Sequence, residues 1–161
     1  MIKHLSVKSL LALGALFLSA SPVLANKFIY LKCDNEMTLT STEISTGKTL
    51  NDGETKSETV YLKIDRNGNR FMSYKASSSK RDYKWDKATI SGGVLSAKML
   101  DKNEALEANG EINLEFQPAG QLRSKVSAIA FGMISTEIDI QGNCVDVDGS
   151  VFENALNEPD S

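Results

Sequence analysis

Residues 60–75 read VYLKIDRNGNRFMSYK. Val60, Leu62 and Ile64 alternate with Tyr61, Lys63 and Asp65. A period of two is that of a strand with one buried and one wet face. Asn67-Gly68 follows as the strongest hairpin signal in the chain, because both residue types accept the positive φ of a tight reversal. RFMSYK resumes as the return strand. Strands that are half wet belong to antiparallel sheets, since parallel strands are apolar on both faces.

The same alternation recurs on both sides of this hairpin. FIYLKC (28–33) sets Ile29, Leu31 and Cys33 on one face. EINLEF (111–116) sets Ile112, Leu114 and Phe116 against Glu111, Asn113 and Glu115. ISTEIDI (134–140) sets Ile134, Thr136, Ile138 and Ile140 against Ser135, Glu137 and Asp139. Ser91-Gly92-Gly93, Asn109-Gly110 and Pro118-Ala119-Gly120 are read as turns between such runs. The fold expected is all-β, a mostly antiparallel barrel or sandwich of about eight or nine strands with at most short helical turns. Polar residues 45–59 predict a long loop or irregular edge. Residues 101–108, DKNEALEA, predict a short helix or wide loop. Phe152 and Leu156 predict one helical turn in the acidic tail, 151–161.

The first 25 residues carry Lys3, His4 and Lys8, then the apolar run 9–20, then Pro22 and an A-x-A-like site ending at Ala25. This is the pattern of a secretory signal, with an apolar run shorter than the roughly 20 residues of a membrane span. Cleavage there removes 25 of 161 residues and leaves one β-domain, 26–150, and the tail. All 21 acidic residues lie beyond Ala25 with 16 of the 18 Lys and Arg, so the mature net charge is −5. That balance argues against nucleic-acid binding. The expected location is the periplasm or the outside of the cell.

Cys33 and Cys144 are the only cysteines, and an even count in an oxidising compartment implies a disulfide. Cys144 continues the face of Ile138 and Ile140 through Gly142, so both sulfurs point inward and the bond joins the first and last strands.

Several chemistries lack their residues. His4 is the only histidine and lies in the signal segment, which removes histidine bases and histidine metal ligands from the mature chain. CVDVDGS (144–150) fails as an EF-type calcium loop: with Gly149 as the loop glycine, position one is Cys144 and position twelve is Ala155. The two S-x-x-K spacings, from Ser45 and from Ser77, lie in polar loop-like text without partner motifs. Glu111, Glu115, Glu137 and Asp139 fall on expected wet faces, and none stands in the apolar context that a carboxylic acid of a glycosidase pair needs. We therefore expect no enzyme, no cofactor and no metal.

Aromatic residues next to cations are the remaining handle. Tyr61, Lys63, Tyr74, Arg81, Lys84 and Trp85 form the candidate binding patch, set at the mouth of a barrel. Tyr83 shares a face with Trp85. Such a patch suits an anionic ligand.

YLKCDNEMTL (30–39) and IQGNCVDV (140–147) give the chain a layout that resembles a loose group of small exported bacterial β-proteins of uncharacterised function. More distantly, the opening segment is similar to that of the periplasmic C-type lysozyme inhibitors, small disulfide-linked β-barrels. Their inhibitory Ser-Gly-x-x-Tyr core is matched here by Ser91-Gly92-Gly93-Val94-Leu95, which lacks the tyrosine. The function expected is a binding or interaction module, lipocalin-like, for an anionic or apolar small ligand. The alternative is a structural or envelope-associated protein without a small ligand. A cavity inside the barrel favours the first; a filled core with an exposed apolar edge favours the second.

Overall fold

The computed structural model describes residues 27–76 and 84–157. The expected signal segment and Arg81 lie outside them. Nine strands form one antiparallel sheet: β1 (Phe28–Glu43), β2 (Thr49–Asp65), β3 (Arg70–Lys75), β4 (Asp86–Lys87), β5 (Thr89–Ser91), β6 (Val94–Lys102), β7 (Leu106–Phe116), β8 (Ala119–Ala130) and β9 (Ile134–Asp146). One helix, α1 (Gly149–Asn157), follows.

The strand order is β4-β3-β2-β1-β9-β8-β7-β6-β5. This is an up-and-down meander wrapped round so that β1 pairs with β9. Its two edges, β4 and β5, are separated in the chain by Ala88 alone. The sheet is thus a nearly closed barrel, which leaves little of its edge unpaired at that end.

Alternation sorts the side chains as expected. Leu31, Cys33, Leu62, Ile64, Phe71, Leu95, Ala97, Leu114, Phe116, Leu122 and Cys144 form the barrel core. Each fully buried Leu, Ile or Phe among them contributes about 1.5–3 kcal/mol of transfer free energy. Cys33 and Cys144 lie directly opposite each other on β1 and β9 and are bonded.

Residues 45–59 form the irregular edge rather than the long loop, the two forms expected of them. From Thr49 they belong to β2, which pairs with β1 almost to its end, with register shifts between Leu39 and Thr40 and between Ser41 and Thr42. Pairing with a long neighbour decides the conformation here, since a strand wet on both faces has no alternation to announce it. Residues 101–108 form no helix. They are the tip of the β6–β7 hairpin, where Asn103 Oδ1 accepts from the backbone N–H groups of Ala105 and Leu106, both at 2.9 Å. That Asx geometry replaces a helical turn.

Asn109-Gly110 is not a turn either. It lies inside β7, opposite Ser127 and Val126. A Cβ on Gly110 would stand 2.8 Å from the Lys125 carbonyl oxygen and 2.9 Å from Val126 Cγ2, so glycine is needed there for close packing. At the β2–β3 turn the positive φ (47°) falls on Asn69 rather than Gly68. Gly68 serves a different purpose: its N–H donates to Asp65 Oδ1 (3.1 Å), and a Cβ would sit 2.6 Å from Asp65 Oδ2.

The single helical turn expected in the tail is a helix of nine residues. Asp148 Oδ1 accepts from the Ser150 N–H (2.8 Å) at its start. Its Phe152 is fully buried against the outer wall of the barrel, where Met72, Tyr74, Tyr30, Tyr61, Trp85, Ala155 and Leu156 form a second apolar cluster.

Candidate functional site

The aromatic patch lies under α1. Tyr61 and Lys63 alternate with Leu62 and Ile64, so they project from the outside of the wall rather than into a barrel mouth. Tyr61 stacks on Tyr74, with ring centroids 5.3 Å apart, and Tyr74 packs edge-on against Phe152 at 5.1 Å. The Lys63 ammonium donates to Glu153 Oε1 (2.9 Å) and sits over the Phe28 ring (4.8 Å). Burial alone would push its pKa down, but the Glu153 carboxylate prevails and holds it above the usual lysine value. Trp85 is half-buried, with the Arg70 guanidinium 4.5 Å from its ring centroid. Lys84 is exposed. Tyr61, Lys63, Tyr74 and Trp85 are therefore brought together as the seat of the helix.

Inside the barrel a packed core surrounds Leu31, Cys33, Ile64 and Leu95, all 0% exposed. Concave space lies instead on the outer face of the four central strands. An open trough of about 940 Å³ crosses β2, β1, β9 and β8. Register explains its lining. Asp34 faces Thr59 on β2 and Asn143 on β9, and Asn143 faces Gln121 on β8. Two residues along, Glu36 faces Ser57 and Gln141, and Gln141 faces Arg123. Thr38 and Asp139 complete the next rung. Asn35, Glu58, Leu122 and Gly142 also border the trough, but by register their side chains belong to the core face.

The trough is a field of hydrogen-bonding groups on paired strands. The Thr59 hydroxyl donates to Asp34 Oδ1 (2.7 Å), and Lys32 lies 3.4 Å from Asp34 Oδ2; both hold this carboxyl below its usual pKa. Arg123 Nη2 donates to Gln121 Oε1 (2.7 Å), and Gln141 Nε2 donates to Asp139 Oδ1 (3.4 Å). Among the described residues, no three His, Cys, Asp or Glu side chains are grouped to hold a metal ion. Sequence reasoning missed this site. Its signal was present as the alternating polar rows Asp34-x-Glu36-x-Thr38 and Asp139-x-Gln141-x-Asn143, which mark no site until strand pairing aligns them.

Gly142 lies behind the trough floor for a steric reason. A Cβ there would fall within bonding distance of Asn35 Oδ1, a buried atom with no hydrogen-bond partner among the described residues.

Three hairpin tips meet at the far end of the long strands. The Ile44 N–H donates to the Met133 carbonyl (2.8 Å), and the Phe131 N–H to that of Ala105 (2.7 Å). Ile44, Phe131 and Met133 are 49%, 68% and 59% exposed, which makes this end an apolar rim. Ser91-Gly92-Gly93 forms the β5–β6 turn, with Gly92 and Gly93 at φ 57° and 80°. No helix among the described residues is long and apolar enough to cross a membrane.

No family model matches the chain, and no curated protein or solved structure matches it.

Proposed function

We propose that the protein is an exported, non-catalytic binding module whose ligand lies across the trough on the outer face of β2, β1, β9 and β8. The trough's polar lining carries this reading. The packed core around Leu31, Cys33, Ile64 and Leu95 occupies space in which a lipocalin-like barrel would hold an apolar ligand, which favours the outer trough. Asp34, Glu36 and Asp139 outnumber Arg123 in the lining, which disfavours an anionic ligand. Amides and hydroxyls spaced along rigid strands suit a neutral, hydroxyl-rich chain, that is, an oligosaccharide segment. The disulfide agrees with an oxidising location.

Titration with neutral oligosaccharides, followed by amide NMR shifts, tests this. Shifts confined to residues 34–38, 57–59, 121–123 and 139–143, lost in Gln141→Ala/Asn143→Ala, are expected. Shifts elsewhere, or none at millimolar ligand, would sink the reading.

The exposed rim at Ile44, Phe131 and Met133 favours a second reading, an envelope-associated protein that meets its partner through this end. Co-sedimentation with envelope fractions that Phe131→Ser/Met133→Ser abolishes, with no oligosaccharide response, is the outcome that selects it.

A further inference from the structure

The two flanks of the sheet beyond the barrel are built differently. β3 pairs with β2 only from Val60 to Asp65, so among the described residues the earlier part of β2 has β1 on one side and no strand on the other. This flank is protected in the ways that natural edges are. Asp52, Glu54, Lys56 and Glu58 line it, Gly53 breaks the strand conformation at φ 72°, and two register shifts distort the neighbouring pairing.

β6 forms the opposite flank. β5 pairs only with Val94, Leu95 and Ser96, so Ala97 to Lys102 have β7 alone beside them among the described residues. Here Lys98, Asp101 and Lys102 supply charge, but no bulge and no positive-φ glycine interrupts the strand. The β6–β7 register runs without a shift from Val94 to Lys102. Leu100 is 79% exposed and Met99 40%. An opening of about 440 Å³ lies between Lys87–Thr89 and Ala97–Lys98, where β5 leaves β6. It provides room for an arriving strand to end.

We propose that this edge pairs with β6 of a second copy of the chain, in antiparallel fashion about a two-fold axis through Met99. Register selects the axis. Pairing of identical strands that keeps core face with core face needs opposed positions of equal parity. Centred on Leu100, it would oppose Lys98 to Lys102 of the other copy, a like-charge contact. Centred on Met99, it opposes Lys98 to Leu100 and Ala97 to Asp101, and no like charges are directly opposed. Leu100 of each copy then lies on the aliphatic stem of the other copy's Lys98. The paired stretch, Ala97 to Asp101, ends flush with Ser96, where β5 takes over. The fit of the free stretch to its own reverse is what favours a second copy over an unrelated strand. This pairing stands apart from the trough reading.

Sedimentation velocity of the full chain reads the outcome. A dimer is expected at micromolar concentration. Leu100→Lys is expected to weaken it at least tenfold, while Leu50→Lys, on the protected β2 flank and 51% exposed, leaves it unchanged. Directly opposed residues of antiparallel strands stand within disulfide reach, so Met99→Cys is expected to give a covalent dimer on air oxidation. Cys33 and Cys144 are buried and already bonded, which keeps them out of that reaction. A monomer at hundreds of micromolar overturns the proposal. So does a dimer that tolerates Leu100→Lys, or one in which Met99→Cys does not cross-link.

Discussion

The Tyr74 hydroxyl donates a hydrogen bond of 2.8 Å to the backbone carbonyl oxygen of Phe152, 78 positions further along the chain. A residue of the β2–β3 hairpin thus holds the C-terminal helix by its backbone, while the Phe152 ring fills the space between Tyr74 and Tyr30.

Phe152→Ala is expected to cost about 3–5 kcal/mol, the usual range for a fully buried phenylalanine. Tyr74→Phe keeps the ring packing and loses the hydroxyl donor, so about 1 kcal/mol is expected. Urea denaturation measures both. Equal losses for the two variants would mean that the helix is held by its backbone and not by its ring.

Asp65 gives the fold an acid-sensitive point. Burial alone would raise its pKa, but the Gly68 N–H and the Arg70 guanidinium (2.9 Å) overcome this and hold it below the ordinary value of 3.8. A carboxyl with a lowered folded pKa binds protons more readily when unfolded. Its stabilisation is therefore complete above the ordinary aspartate range and disappears as pH falls through the folded pKa. Thermal midpoints measured from pH 6 to pH 2 should drop for the wild type, and less steeply for Asp65→Asn. Parallel slopes would remove Asp65 from the acid response.

Gly142→Ala places a methyl on Asn35 Oδ1 and 3.0 Å from the Asp34 carbonyl oxygen. Overpacking of this kind costs about 1–3 kcal/mol. Asn35→Ala removes a side chain whose buried oxygen has no partner among the described residues, so this change should cost little, and the double variant should recover most of the loss. Additive losses in a double-mutant cycle would show that the two positions do not compete for space.

The Cys33–Cys144 bond closes a loop across a sequence separation of 111. The chain-entropy model assigns such a loop roughly 4–5 kcal/mol. Reduction, or replacement of both cysteines by alanine, should lower the denaturant midpoint accordingly. An unchanged midpoint would mean that β1–β9 pairing alone restricts the unfolded chain as strongly.

What the amino-acid order determined by itself is local. Side chains repeat every two residues along a strand, so the inward set Leu31, Cys33, Leu62, Ile64, Leu114 and Phe116 was legible, and with it the antiparallel class and the inward aim of both cysteines. What tertiary structure decided is non-local. Polar residues 49–59 became strand because β1 lies beside them, and Asn109-Gly110 stayed extended because β8 packs too closely for a side chain. Tyr61, Lys63 and Tyr74 read as a binding patch at a barrel mouth, but they lie on the outer wall, where α1 packs on them. The trough exists only where β2, β1, β9 and β8 align their outward polar rows. Alternation assigns a residue to a face, but only strand pairing and helix docking decide what that face meets, because those contacts join residues far apart in the chain.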